Sequence, residues 1–274
     1  MSIIDHPKNL IEWYEKQERV LTPAFLATIP WNQIKDHKIA PPFFPVLIYF
    51  RDVEKFTDVY YRELLRTPSG RDPFIQRFLE KWRTEEDLHA ELLNRFLNEA
   101  GHETNANWEK EIRESIPWRY KFNSFLSSLL ANFVVKRFTA VHMTWGAINE
   151  LTTLQGYKQL WARAKHPVLE YMLKAIAREE AVHSFFYHSF AKMHLMRSQI
   201  TQKLSRVIVD RFWTPVGQGT KPESEANMII RNLFSGELGI SVIDDFVTAR
   251  LKMLPGFEGC GIVTKRVERV GTNS

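Results

Sequence analysis

Apolar residues recur along much of this chain at intervals of three and four, the spacing of one buried helical face. Phe43, Leu47, Phe50, Glu54, Tyr61 and Leu65 form such a stripe and predict a helix over about 44–66. Thr67-Pro68-Ser69-Gly70 breaks it, and Asp72-Pro73 supplies an N-cap and a first-turn proline for a helix over 72–100. That helix carries Ile75, Phe78, Trp82, Glu86, His89, Leu93 and Phe96 on one side. Residues 101–118 are polar and irregular, and helical spacing resumes over about 120–136. The stripe Ala140, Met143, Ala147, Glu150, Leu154, Tyr157, Trp161 predicts a helix over 138–164. Pro167 opens another over 167–195, striped by Leu169, Leu173, Ile176, Glu180, His183, Tyr187 and Phe190. Upstream, residues 9–20 suit a short amphipathic helix, while Thr22–Pro45 carries too many prolines for a regular one. Downstream, 197–252 reads as two or three shorter helices interrupted near Thr214–Glu223, and the Gly-rich basic tail beyond Pro255 as peripheral. No β-hairpin pattern, repeat or low-complexity tract interrupts this reading. The expectation is one all-α domain over 1–274, four long helices forming a bundle flanked by shorter ones.

Acids sit on these apolar stripes. In chain order the long helices present Glu54, then Glu86 with His89, then Glu150, then Glu180 with His183. Positions i and i+3 share a helix face, about 4.5 Å apart along the axis, so each Glu-x-x-His can grip one metal ion. A third Glu-x-x-His, Glu99 to His102, is set aside because Gly101 marks the end of its helix. Buried ionised carboxylates need partners, and no basic residue lies on these stripes. Four glutamates and two divalent cations cancel in charge, and oxygen–nitrogen ligation without thiolate suits iron or manganese. One Glu from each of two helices plus Glu-x-x-His from two others is the ligand pattern of ferritin-like di-iron bundles.

Neighbouring polar residues read differently. Glu85 and Asp87 point about 100° away from the ligand face and are expected to be solvated. Glu179 is placed to accept a hydrogen bond from a ligating histidine. His142, His188 and His194 are expected to satisfy local hydrogen bonds. Thr153 lies one turn after Glu150, where its hydroxyl either approaches the site or bonds back to its own helix. Phe50, Tyr187 and Phe190 either line a slot for an alkyl chain or serve as ordinary core.

Composition narrows the setting. The 274 residues are 44% hydrophobic and 25% charged, ordinary for a globular chain. A single cysteine, Cys260, excludes an intrachain disulfide or an iron–sulfur cluster held by this chain's own thiolates, and suits a reducing cytoplasm. The start, MSIIDHPKNL, lacks the basic and apolar segments of a secretory leader, and no apolar run is long enough to span a bilayer. The net charge of +5 favours an acidic partner weakly; its lysines and arginines are scattered, and no nucleic-acid motif appears.

The stretch Trp82-Arg-Thr-Glu-Glu-Asp-Leu-His-Ala-Glu-Leu-Leu-Asn-Arg-Phe-Leu97 resembles the second ligand helix of the soluble acyl-acyl-carrier-protein desaturases, in the ferritin-like superfamily. Leu10–Trp31, Glu54 with Tyr60, Glu150 with Thr153, Ala177–His183 and Leu254-Pro-Gly-Phe-Glu-Gly259 extend the likeness across most of the chain. The resemblance implies a ferritin-like di-iron bundle with ligands Glu54, Glu86, His89, Glu150, Glu180 and His183, Glu86 and Glu180 being able to bridge. It implies Thr153 as a hydroxyl beside the oxygen site, and Trp31 with Glu179 as a hydrogen-bonded electron route through His89. It further implies a ferredoxin-type donor, O2 as oxidant, a fatty acyl chain carried on acyl carrier protein as substrate, and a homodimer. This chain departs from the plant enzymes in having Leu88 and Val182 where arginine precedes each ligand histidine, Glu179 where they have aspartate, and a shorter length.

Other di-metal chemistries are separable. A ribonucleotide reductase small subunit would want a tyrosine where Leu93 stands, and an arylamine N-oxygenase an extra histidine where Ile176 stands. Hydroxylation or N-oxygenation on the same centre remains the enzymatic alternative. A ferritin-type store is disfavoured because about 64 residues separate Glu86 from Glu150, room for a helical segment that a cage subunit does not need.

Overall fold

The computed structural model describes residues 5–120 and 135–271. The expected helix over 120–136 falls almost wholly outside the described residues. Thirteen α-helices and no strand occur among the described residues, in agreement with the all-α expectation.

Helices α1 (Pro7–Lys16) and α2 (Pro23–Thr28) precede the bundle, followed by a short 3-10 segment over Trp31–Asp36. The proline-rich region is therefore more regular than its composition suggests. Pro23 occupies the first turn of α2, where its missing N–H costs nothing, and Thr22 Oγ1 caps that turn by accepting from Phe25 N–H at 3.2 Å.

The helix expected over 44–66 is two, α3 (Phe43–Lys55) and α4 (Thr57–Leu64). They meet at Phe56, whose carbonyl accepts from both Val59 N–H (2.8 Å) and Tyr60 N–H (3.0 Å) while its ring packs with Ile112 and Ile116. Helix α5 (Pro73–Glu99) starts as expected, with Asp72 Oδ1 accepting from Phe74 N–H at 2.9 Å and Ile75 N–H at 3.2 Å. It ends on Gly101, at φ +86°, where His102 N–H reaches back to Leu97 carbonyl at 2.9 Å. That left-handed turn takes His102 off the helix and disposes of the third Glu-x-x-His.

Helix α6 (Trp108–Ser115) lies in the stretch expected to be irregular, with Trp108 beneath the cationic groups of Arg51 and Lys55. Helices α7 (Val135–Ala164) and α8 (Pro167–Leu195) are joined by two residues and make the most extensive helix pair, antiparallel as so short a loop requires. His166 caps α8, its Nδ1 accepting from Leu169 N–H at 3.2 Å. Helix α3 pairs with α5, and the cross-links Arg51–Asn94 and Lys55–Asp87 set the two antiparallel.

The C-terminal third contains α9 (Gln199–Phe212), α10 (Glu223–Phe234), α11 (Gly236–Ile243), a π-helical turn over Asp244–Thr248, α12 (Ala249–Lys252) and α13 (Ile262–Gly271). The tail is not peripheral. Phe257 and Cys260 are buried, and α13 buries Val263, Val267 and Val270, a spacing of four and three, against α10 and α11. Sequence reading weighted its glycines and charges over that apolar triplet. Among the described residues, no helix is long and apolar enough to cross a membrane.

Candidate metal centre

Helices α3, α5, α7 and α8 each turn their acidic stripe position inward, and Glu54, Glu86, His89, Glu150, Glu180 and His183 meet in the core. Their ligand atoms form two overlapping groups, each within 4.8 Å of one another: Glu54, Glu86, His89, Glu180 and Glu86, Glu150, Glu180, His183. Glu86 and Glu180 belong to both.

The imidazoles set the polarity of the site. His89 Nδ1 faces inward, 3.0 Å from Glu86 Oε2 and 3.2 Å from Glu180 Oε1. His183 Nδ1 likewise lies 3.0 Å from Glu86 Oε1 and 3.8 Å from both Glu150 Oε2 and Glu180 Oε2. Both Nε2 atoms face outward onto acids. Glu179 Oε2 stands 3.2 Å from His89 Nε2, and Glu85 Oε2 stands 2.8 Å from His183 Nε2. An Nε2–H so held leaves each Nδ1 lone pair directed at the centre, the arrangement metal-bound histidines require.

Glu85 was expected to be solvated and is not. It is 8% exposed and accepts from Tyr14 Oη at 2.7 Å and from the Arg19 guanidinium as well as from His183. Helix α1 covers that side of α5, which sequence periodicity on α5 alone does not reveal. The signal available was repetition, since both motifs read Glu-Glu-x-x-His. Burial acts to raise the Glu85 carboxyl, but hydrogen bonds and charge from His183 and Arg19 outweigh it and bring the pKa down to about 2. Asp87 is half-exposed and ion-paired with Lys55 at 2.6 Å.

Glu179 accepts from the backbone N–H groups of Val20 and Leu21, both at 3.0 Å, besides facing His89. Trp31 is not joined to it by any hydrogen bond; its buried indole N–H is unpartnered, and the Arg95 guanidinium lies 4.0 Å over its ring. Glu150 accepts from Trp82 Nε1–H at 3.1 Å, and Glu54 accepts from the hydroxyl of Tyr157. Trp82 and Tyr157 both lie on the helix stripes, where nothing local marks either as bonded to a carboxylate. His142 is buried with Nδ1 unpartnered, contrary to the local bond expected of it, whereas His188 Nε2–H donates to Arg250 carbonyl at 3.0 Å.

Crowding of buried carboxylates defines the electrostatics. Burial, and next the facing carboxylates, push Glu54 and Glu150 well above the usual carboxylate range. Glu180 Oε1 and His183 Nδ1 have no hydrogen-bond partner although both are buried. Unpartnered donor atoms of this kind, inside a cluster of like charges, are what a cation resolves. The all-oxygen-and-nitrogen donor set fits iron, and Glu86 and Glu180 are common to both ligand groups.

Beside the centre runs a narrow apolar cavity of about 50 Å³. Phe50, Thr153, Gly156, Trp213, Ile230 and Val263 are among its walls, so it lies between α3, the flank of α7 and the C-terminal helices, and none of the six cluster residues lines it. Thr153 reaches this cavity, while its neighbour Thr152 makes the back-bond, donating to Asn149 carbonyl at 2.8 Å. Tyr187 and Phe190 do not line it. Tyr187 packs edge-on to Phe78 and Trp82, and Phe190 lies between Phe186 and His194.

The fold and site thus define a helical bundle built around a buried carboxylate–histidine cluster that could hold metal. A family model described as fatty acid desaturase matches residues 60–216, more than half of the chain, and the protein belongs to that family. The matched span contains Glu86, His89, Glu150, Glu180 and His183; Glu54 stands just before it. No curated protein and no solved structure matches the chain.

Proposed function

We propose that this protein is an O2-dependent desaturase of fatty acyl chains carried on acyl carrier protein, working through two iron ions. The observation that carries the reading is the adjacency of an apolar cavity to a core cluster of four glutamates and two histidines in a fatty acid desaturase. Glu86 and Glu180 would bridge the ions, Glu54 and His89 would complete one, and Glu150 and His183 the other. Such a centre supplies two-electron oxidation by O2. The overall change is removal of two hydrogens from adjacent methylenes, with O2, two electrons and two protons giving two waters.

The chain's own residues give that chemistry its setting. Glu85 and Glu179 fix the two imidazoles, and Trp82 and Tyr157 each hold one oxygen of a terminal carboxylate. Phe50 and the aliphatic wall exclude water from the alkyl chain, while Thr152 and Thr153 are hydroxyl-bearing residues that chain would pass. Arg266 borders the cavity and also a polar pocket shared with Arg231 and Arg269. Glu223 shares the pocket and pairs with Arg266 at 2.8 Å, but the three arginines outnumber it and suit the phosphate of a carrier's prosthetic arm and the acidic carrier itself. A ferredoxin-type protein would supply the electrons. Manganese in place of iron, a homodimer and a cytoplasmic setting belong to the same reading.

The test is mass spectrometry of the acyl group after turnover. The iron-loaded protein is given O2, a reductase–ferredoxin couple and acyl-carrier-protein substrates of several lengths. Loss of two hydrogens is expected. Gain of an oxygen atom would make the protein a hydroxylase, and an unchanged acyl group at every length would overturn the acyl reading.

A further inference from the structure

Three contacts run from the cavity wall to the metal cluster. Phe50 lines the cavity, and its ring packs on Tyr157 with centroids 4.7 Å apart and planes at 35°. Tyr157, fully buried, donates its hydroxyl hydrogen to Glu54 Oε1. Position 156 must lack a side chain for Phe50 to sit there, since a Cβ on Gly156 would fall 2.7 Å from Phe50 Cζ.

We infer that Tyr157 is a positioning residue that holds the Glu54 carboxylate until an alkyl chain in the cavity displaces Phe50. The inference rests on the acyl reading above. Glu54 is the acid that α3 contributes, and it belongs to only one of the two ligand groups. The phenol takes one lone pair of Oε1 and fixes how the carboxylate is turned; released, the carboxylate is free to turn its oxygens toward a cation. No water competes for a hydroxyl buried this deeply, so the hold persists until the ring moves. Phe50 has the cavity on one side and Tyr157 on the other. A chain that enlarges the cavity therefore moves the Phe50–Tyr157 pair as a unit, because close-packed rings do not compress. Arrival of substrate is in this way transmitted to the cluster through Glu54. The same contacts make Phe50 and Gly156 determinants of which chain fits.

The experiment uses the full-length protein loaded with Co(II), whose visible absorption reports coordination without turnover, and 9,10-dibromostearate as an unreactive chain that quenches tryptophan. Trp213 lines the cavity and reports occupancy, with Trp213→Phe as its control. In the unsubstituted protein, quenching and a shift of the cobalt bands are expected at the same dibromostearate concentration. In Tyr157→Phe the bands are expected to be displaced already, with quenching retained and no further shift. Gly156→Ala, whose Cβ would itself displace the Phe50 ring, is expected to weaken quenching about tenfold and to shift the cobalt bands before any chain is added.

Quenching without any cobalt shift in the unsubstituted protein would overturn the inference and leave the acyl reading standing. So would a Tyr157→Phe protein whose bands and whose response match those of the unsubstituted one. Absence of quenching at every concentration would overturn the acyl reading together with the coupling, and the silent Trp213 distinguishes that failure from the other two.

Discussion

Glu85 and His183 are joined across the bundle: the residue before one motif's glutamate lies 2.8 Å from Nε2 of the other motif's histidine. Glu179 does the same for His89 at 3.2 Å, so the two Glu-Glu-x-x-His segments support each other reciprocally. Each acid is anchored in turn from the N-terminal region, Glu85 by Tyr14 and Arg19, Glu179 by the backbone of Val20 and Leu21. Replacing either acid with alanine leaves an imidazole free to rotate and to take the wrong tautomer. Metal affinity should fall about 10- to 100-fold for Glu85→Ala and for Glu179→Ala, measured by competition with a coloured chelator. Glutamine, which keeps an acceptor oxygen, should lose less.

Ligand sharing predicts an asymmetry among the acids. Glu180 serves both ligand groups, whereas Glu54 and Glu150 serve one each. On the proposed two-ion reading, Glu180→Ala should therefore abolish retention of both ions, while Glu54→Ala and Glu150→Ala should each retain close to one per chain. Metal content by mass spectrometry after desalting distinguishes these cases. Equal loss in all three variants would contradict a bridging role for Glu180.

The bundle and its six inward donors were legible because helical periodicity is local: a stripe needs only its own helix to be seen. What escaped depended on other elements. Glu85 looked solvated from the geometry of α5, and only the approach of α1 with Tyr14 buries it. Tyr157 sits seven residues after Glu150 on the same face, yet nothing local distinguishes a core tyrosine from one bonded to Glu54 across the bundle. The kink at Phe56 and the buried tail reflect the same limit, since Ile112, Ile116 and the α10–α11 surface that receive them are distant in sequence. Trp31 fails in the opposite sense. Its position resembles a family route, but its indole N–H has no partner, and Glu179 accepts instead from the backbone of Val20 and Leu21.

Two glycines on the described chain give opposite predictions for the same substitution. A Cβ on Gly146 would lie 2.4 Å from the ring of Tyr187, which Phe78 and Trp82 already confine. Gly146→Ala should destabilise by about 1–3 kcal/mol through overpacking. Gly259 has open space where its Cβ would stand, and Gly259→Ala should fall within about 0.5 kcal/mol of the parent. Urea unfolding of the two variants gives both numbers.

His142 gives stability a pH dependence of definite sign. Its ring lies against Phe138 and Tyr187, and burial pushes its pKa down to about 3, from the 6.5 of a free imidazole. Between these values the unfolded chain binds a proton that the folded chain refuses. The unfolded state then holds more protons, and stability rises with pH across that window. The contribution is fully present above about pH 6.5 and is lost progressively as pH falls towards 3. Lowering the pH from 7.5 to 5.5 should cost about 1.4 kcal/mol at this one site, one pKa unit of the gap having been crossed. His142→Phe removes the titrating group while keeping an aromatic ring against Tyr187, so its unfolding free energy should fall less over the same interval, by about that amount. An identical pH slope in the two proteins would show that His142 is protonated as readily in the folded chain as in the unfolded one.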